Sequence, residues 1–293
     1  MLKVSNTEYV THEGVRRTVQ ADPAEFCGAL SFLGLGETFM LYGIYQSAAG
    51  LLVNQYRMEV QANNLANADT AGFKRDMAVV CERLPQSQER PIGFGASDPR
   101  LAGMTGGSFV SPTVTLFEQG PIETTGRPLD VALVGDGFFR VQAEGRELYT
   151  RDGRFALNDT GELVTAAGFH AVLDEAGAPI VVPADVRDRL QIGADGQLRA
   201  GDMQLARLGV VDFEDHALLR KTGRNLYESL GPQPRPLEQT ALKVGAVEKS
   251  SVDPVHAMVG MIEVSRAYEF NATLISLADA TLGRAVNDVG RVR

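Results

Sequence analysis

The chain has 293 residues, a formal net charge of −9, 44% hydrophobic residues, no tryptophan and two cysteines. That acidity argues against a nucleic-acid binder, which needs a basic footprint, and Cys27 and Cys81 lie too far apart for metal-ligand spacing, so free thiols are expected. No run approaches the roughly 20 apolar residues needed to span a bilayer, and the short apolar stretch 26–35 follows Glu25 and is broken by Gly28 and Gly34, unlike a secretory signal.

Residues 1–39 carry scattered charges and no sustained period, and Met40 stands directly before the first repeating apolar position. Two readings follow: a genuine, disordered extension, or sequence upstream of a start at Met40, the second being favoured. From there Ile44, Ala48, Leu51, Gln55, Met58, Ala62 and Leu65 recur at alternating steps of four and three. This is a narrow seam of the kind that joins one helix to another. A helix from Leu41 to Ala66 would be about 39 Å long at ~1.5 Å per residue. The Asn, Asp and Gly cluster from Asn63 to Gly72 then stops it and redirects the chain.

Residues 76–110, with Pro85, Pro91, Gly93, Gly95, Gly103, Gly106 and Gly107, read as an irregular connector, with extended segments beginning near Ser108. Over 111–235 the apolar period becomes two, as in Leu129, Val131 and Leu133. Turns are signalled at Gly135-Asp136-Gly137, Asp152-Gly153, Asp159-Thr160-Gly161, Glu175-Ala176-Gly177 and Asp195-Gly196. This predicts an all-β domain. Val210–Phe213 reads as a strand, the Pro-rich 231–236 as a boundary that cannot continue a ladder, and 241–247 as a last extended piece. After Asp253-Pro254 a second seam runs through Met258, Met261, Ser265, Tyr268, Ala272, Ile275 and Leu282.

The fold class is therefore a mainly β central domain flanked by N- and C-terminal helices. The helices are expected to pair as a coiled coil in an assembled filament, and to be disordered in the free subunit, since each stripe alone buries little against the entropy of ordering. Gln55, polar within its seam, is expected to set register.

The stretch Ala62-Asn63-Asn64-Leu65-Ala66-Asn67, with Thr70-Ala71-Gly72-Phe73-Lys74-Arg75, resembles the N-terminal signature of the flagellar rod and hook proteins. Arg127–Leu133 with Gly135–Phe139, Tyr149–Phe155, and Met258–Glu269 with its Arg266-Ala267-Tyr268-Glu269 resemble three further blocks of that family, in order. The resemblance covers 40–293 and leans towards the proximal-rod type, with the distal-rod type as the alternative. It implies a non-enzymatic structural subunit of the basal-body rod, exported without a cleaved signal peptide through the flagellar type III apparatus. Such a subunit partners with itself and other rod and hook proteins, polymerises helically across the periplasm and transmits torque. The two seams would form the polymer interface. Asn63, Asn64, Asn67, Gly72, Phe73, Arg266, Tyr268 and Glu269 carry the family signature. In domain terms, 40–75 is the N-terminal helix and turn, 76–110 the connector, 111–235 the outer β domain and 236–293 the extended piece and C-terminal helix.

Catalytic chemistry finds little support. His12, His170, His216 and His256 are isolated, and Asp212, Glu214, Asp215 and His216 read as a solvated turn rather than metal ligands. The Gly-rich pieces lack a dinucleotide-loop context. No catalytic, metal or cofactor residue, no nucleic-acid partner and no membrane insertion is expected. A rod-associated peptidoglycan hydrolase and a rod cap or assembly factor are the rival readings.

Overall fold

A computed structural model describes residues 36–83, 107–201, 203–231, 233–237 and 241–289. The expectations for 1–35, including Cys27 and His12, and for most of the Pro- and Gly-marked connector lie outside the described residues. The chain divides into a first unit, Met1–Leu41, whose described part is the opening of a helix, and a second, Tyr42–Arg293, which holds everything below.

Helix α1 runs Gly36–Ala66, starting earlier than the seam alone suggests. Strands β1 (Asp76–Glu82) and β2 (Ser108–Thr115) pair with each other. Extended structure thus begins well before Ser108, because β1 has its partner across the connector rather than beside it in sequence. There follow β3 (Ile122–Thr124), β4 (Val131–Val134), β5 (Phe138–Ala143), β6 (Arg146–Thr150), β7 (Phe155–Leu157), β8 (Leu163–Thr165) and β9 (Ala171–Val172). A 3-10 turn at Ala184–Arg189 precedes β10 (Leu190–Ile192), β11 (Gln197–Ala200), β12 (Met203–Arg207) and β13 (Val210–Asp212). The chain then forms β14 (Leu219–Gly223), β15 (Leu226–Ser229), β16 (Arg235–Pro236), β17 (Ala241–Val244), β18 (Ala246–Glu248) and helix α2 (Pro254–Val289).

The principal sheet has the order β14-β15-β6-β5-β9-β8-β7, with β13 also on β5. The named strands pair antiparallel, so tight turns suffice between neighbours. The β5–β6 turn uses Glu144 and Gly145, both at positive φ, a pair the sequence reading passed over. The Pro-rich stretch ends in a strand after all. Pro236 lies opposite Val211 on β16, the outer partner of β13, where a missing N–H is tolerated. The last two strands return to the start of the domain, β17 on β4 and β18 on β3.

The main core gathers Val131, Leu133, Phe139, Val141, Leu163, Val172 and Leu198, each essentially excluded from solvent. Strand β4 is buried on both faces at Val131, Ala132 and Leu133, so the expected alternation gives way to a continuous apolar run. A second cluster stacks Phe138, Tyr149, Phe213 and Tyr227 edge to face with Phe117.

Candidate assembly interface

Helix α2 begins where a side chain can satisfy the open N–H groups of a first turn. The Asp253 carboxylate accepts from the Val255 and His256 N–H groups, and its second oxygen lies 2.7 Å from His256 Nδ1. Those contacts, the His256 side chain foremost, hold the Asp253 carboxyl below the usual carboxylate range. Helix α1 ends in the Asn cluster, where the Asn67 N–H donates to both Asn63 and Asn64 carbonyls before the chain reverses.

The two helices lie against each other inside one chain. A Cβ at Gly50 would sit 3.0 Å from the Asn271 amide, one at Gly260 would sit 3.6 Å from the Gln61 amide, and Leu65 packs into a cluster with Ala257. The contacts advance along α1 as they retreat along α2, so the pair is antiparallel. On α2 the covered face carries Ala257, Val264, Asn271, Ile275 and Leu282, all buried or half-buried. Helix α1 turns Val53, Asn54, Val60 and Asn64 furthest from solvent. The residues on these facing sides of the two helices find their cover within one chain.

The turn after α1 is clamped to the β domain by buried charge. Lys74 Nζ lies 2.6 Å from Glu248 Oε1 on β18 and donates to the Glu118 carbonyl at 2.7 Å. Glu248 Oε1 also accepts from the Gly120 N–H, and its other oxygen lies 3.6 Å from Arg151. Lys74, Glu248 and Arg151 are each almost wholly excluded from solvent. Burial pulls the Lys74 ammonium and the Arg151 guanidinium below their ordinary ranges, with Glu248 opposing in both cases. Arg151 also donates to the Gly135 carbonyl and lies over the Phe138 ring. Three blocks far apart in sequence therefore close on one carboxylate.

The signature residues explain how the turn is shaped. Asn64 donates to the Asp76 carbonyl and accepts from the Asp76 N–H, tying α1 to β1. Asn67 donates back to Asn63 and accepts from Thr70, while Asn63 itself is exposed. Gly72, at φ +66°, gives its N–H to Glu248, and a Cβ there would lie 2.5 Å from the Arg151 carbonyl carbon. Phe73 packs with Val252 and Ala257 beneath the Lys221 ammonium, 4.1 Å from its ring. Arg266, Tyr268 and Glu269 point out from α2. The role of Glu248 was missed, since nothing in Val244–Lys249 marks its carboxylate as buried.

The two expected seams divide between faces. On α1, Ile44, Ala48, Leu51, Met58 and Leu65 are half-buried, while Gln55 and Ala62 are exposed, with Gln55 donating to Glu59 one turn on. On α2, Met261, Ile275 and Leu282 are half-buried, whereas Met258, Tyr268 and Ala272 are exposed. A stripe not foreseen runs along the side of α2 away from α1. Val255, Val259, Ile262, Phe270 and Leu277 recur there at helical spacing, each at least half exposed. Tyr45 and Leu52 are similarly exposed on α1.

The polar cluster near β13 has a structural part. His216 lies 3.1 Å from Asp212 and against the Phe117 and Phe138 rings, and Asp215 caps the 3-10 turn His216–Leu218. No described helix is long and apolar enough to cross a membrane.

Three family profiles match the chain in order. These are the flagella basal body rod protein over 44–74, the flagellar hook protein FlgE/F/G D1 domain over 132–200, and the flagellar basal body rod FlgEFG protein C-terminal segment over 243–288. The chain is 34% identical over 250 residues to the flagellar basal-body rod protein FlgF of Caulobacter vibrioides, covering 85% of this chain and 98% of that one. It is 34% identical over 260 residues to FlgG of Buchnera aphidicola subsp. Schizaphis graminum, covering 83% and 98%. To FlgG of Bacillus subtilis it is 32% identical over 265 residues, covering 85% and 99%.

Proposed function

This chain belongs to the flagellar basal-body rod protein family, and from that premise we propose that it is a structural subunit of the rod that polymerises helically and carries torque across the periplasm. The observation that carries the reading is the outward apolar stripe of α2. A helix already packed on one side by α1 has no use within its own subunit for a second apolar face. An exposed stripe of this length marks a contact with another chain. A contact of this heterologous kind, when its rotation does not close, extends as a filament. In that filament the helix pairs of neighbouring subunits form the inner wall as a coiled coil, and the exposed members of the two seams, Gln55, Ala62, Met258, Tyr268 and Ala272, join the stripe in the contact. The β domain lies outside, with Lys74, Glu248 and Arg151 fixing it to the wall. The partners are further copies of this chain, other rod and hook proteins, and the type III apparatus that exports it.

The proximal-rod type is favoured by the alignments. The match to FlgF spreads 85% of the chain over 250 residues, whereas the matches to FlgG spread 83% and 85% over 260 and 265. The chain thus lines up with FlgF with fewer interruptions. Labelling the protein in purified basal bodies tests the whole reading: density in the rod supports it, and a protein confined to the cytoplasm or absent from rods overturns it.

A further inference from the structure

Phe169 stands in the turn between β8 and β9 with 77% of its surface exposed and its backbone at φ +54°. Left-handed backbone in a bulky residue persists only where its surroundings impose it. Here the Phe169 N–H donates to the Thr165 carbonyl at 2.9 Å, the Thr165 N–H to the His170 carbonyl at 2.9 Å, and the His170 N–H to Thr165 Oγ1 at 3.2 Å. The turn is stitched shut and the ring is held in water. Such a ring adds nothing to its own fold, and a contact made with it would require little further ordering.

A receptor of suitable size lies at the other end of the same domain. Ala167, beside Phe169, lines one hollow with Arg224 and Asn225, which form the β14–β15 turn. At the far end of that hairpin, where Leu219 faces Ser229, a pocket of about 370 Å³ is lined by Phe213, Leu218, Gly231, Glu214, Asp215 and Arg235. A dry cavity of about 150 Å³ holds benzene, so this one admits a phenyl ring and part of its backbone. The five residues of β14 hold the two ends about 17 Å apart, so ring and pocket of one chain cannot meet. Charge agrees with an end-to-end match. Arg224 is exposed and its guanidinium makes no ion pair among the described residues; at the pocket Arg235 occupies Glu214 at 2.9 Å, and Asp215 is the acid in no ion pair among the described residues. Glu144, the acid near His170, is already paired with Arg146.

We propose that the Phe169 ring of one subunit seats in the Phe213–Leu218–Gly231 pocket of the next copy of this chain, a lateral contact between β domains that runs beside the helical wall. It rests on the reading of the chain as a filament subunit. The test uses basal bodies from cells whose sole copy carries Phe169→Cys and Leu218→Cys, with Cys27→Ser and Cys81→Ser, oxidised with copper phenanthroline. Disulfide-linked dimers and higher multimers on a non-reducing gel are the expected result, with none from either single-cysteine chain. Basal bodies that contain the double variant and give only monomer overturn the contact while leaving the filament reading intact. Absence of the wild-type chain from basal bodies overturns that reading, and the contact with it. Where the double variant does not reach basal bodies, Phe169→Asp decides: loss of incorporation at an unchanged thermal midpoint supports the contact, and wild-type incorporation overturns it.

Discussion

At the residue scale, the buried carboxylate of Glu248 concentrates the energetics of the terminal clamp. Removing one member of a buried ion pair leaves the other charge desolvated without compensation, at a cost of about 3–5 kcal/mol. Lys74→Met is therefore expected to lower the unfolding free energy in a denaturant titration by that order, and a change below about 1 kcal/mol would show that Glu248 does not depend on the pair. Gly72 makes a sharper comparison. Its φ is positive and the space a Cβ would need is filled by the Arg151 backbone, whereas Gly126, also at positive φ, has open space around it. Both alanine variants meet the left-handed penalty, about 1 kcal/mol, but only Gly72→Ala must also displace backbone. The thermal midpoint should fall clearly further for Gly72→Ala, and equal losses would refute the close approach.

At the element scale, the two faces of α2 call for different tests. Leu65 and Val264 lie in the contact inside one chain, so a charge there disturbs the subunit itself. Ile262 lies on the outward stripe, and Ile262→Asp is expected to leave thermal stability within about 0.5 kcal/mol, as surface changes do, while rods fail to form and cells do not swim. Swimming at the wild-type rate would remove the stripe from the assembly contact. The start of α2 is also sensitive to acid. The folded Asp253 carboxyl titrates below its unfolded value, so the cap contributes fully above the ordinary carboxylate pKa and is lost as pH falls through the lowered one. Helix content followed by circular dichroism should fall in that acid range. Asp253→Asn, which keeps an acceptor without titrating, should abolish this step, and an unchanged acid profile in that variant would place the step elsewhere.

At the scale of the whole molecule, the antiparallel helix pair predicts a distinctive exchange pattern. Amides of 50–65 and 257–271 in a verified monomer should exchange more slowly than those of 277–287, whose side chains are mostly exposed. Uniformly fast exchange along both helices would show that the pair forms only between subunits. The sequence made much of this architecture legible. The step of four and three in Ile44–Leu65, the Asn-rich stop and the Asp253 cap depend on neighbours a few residues away, and such local rules survive into any fold. So do the turn glycines between short strands. What only the tertiary structure decided is which surface covers which. A heptad stripe says that a helix needs a partner but not whether that partner is its own chain, and β1 found its mate across the connector. Glu248 reads as one acid among many until the return of β18 past β3 sets it between Lys74 and Arg151. Nothing in the sequence marks Phe169 as exposed; its turn alone presents it to water. The helix pair, the Lys74–Glu248 contact across 174 residues of chain and the β1–β2 ladder join segments that are not neighbours in sequence, and no local pattern encodes their desolvation and packing.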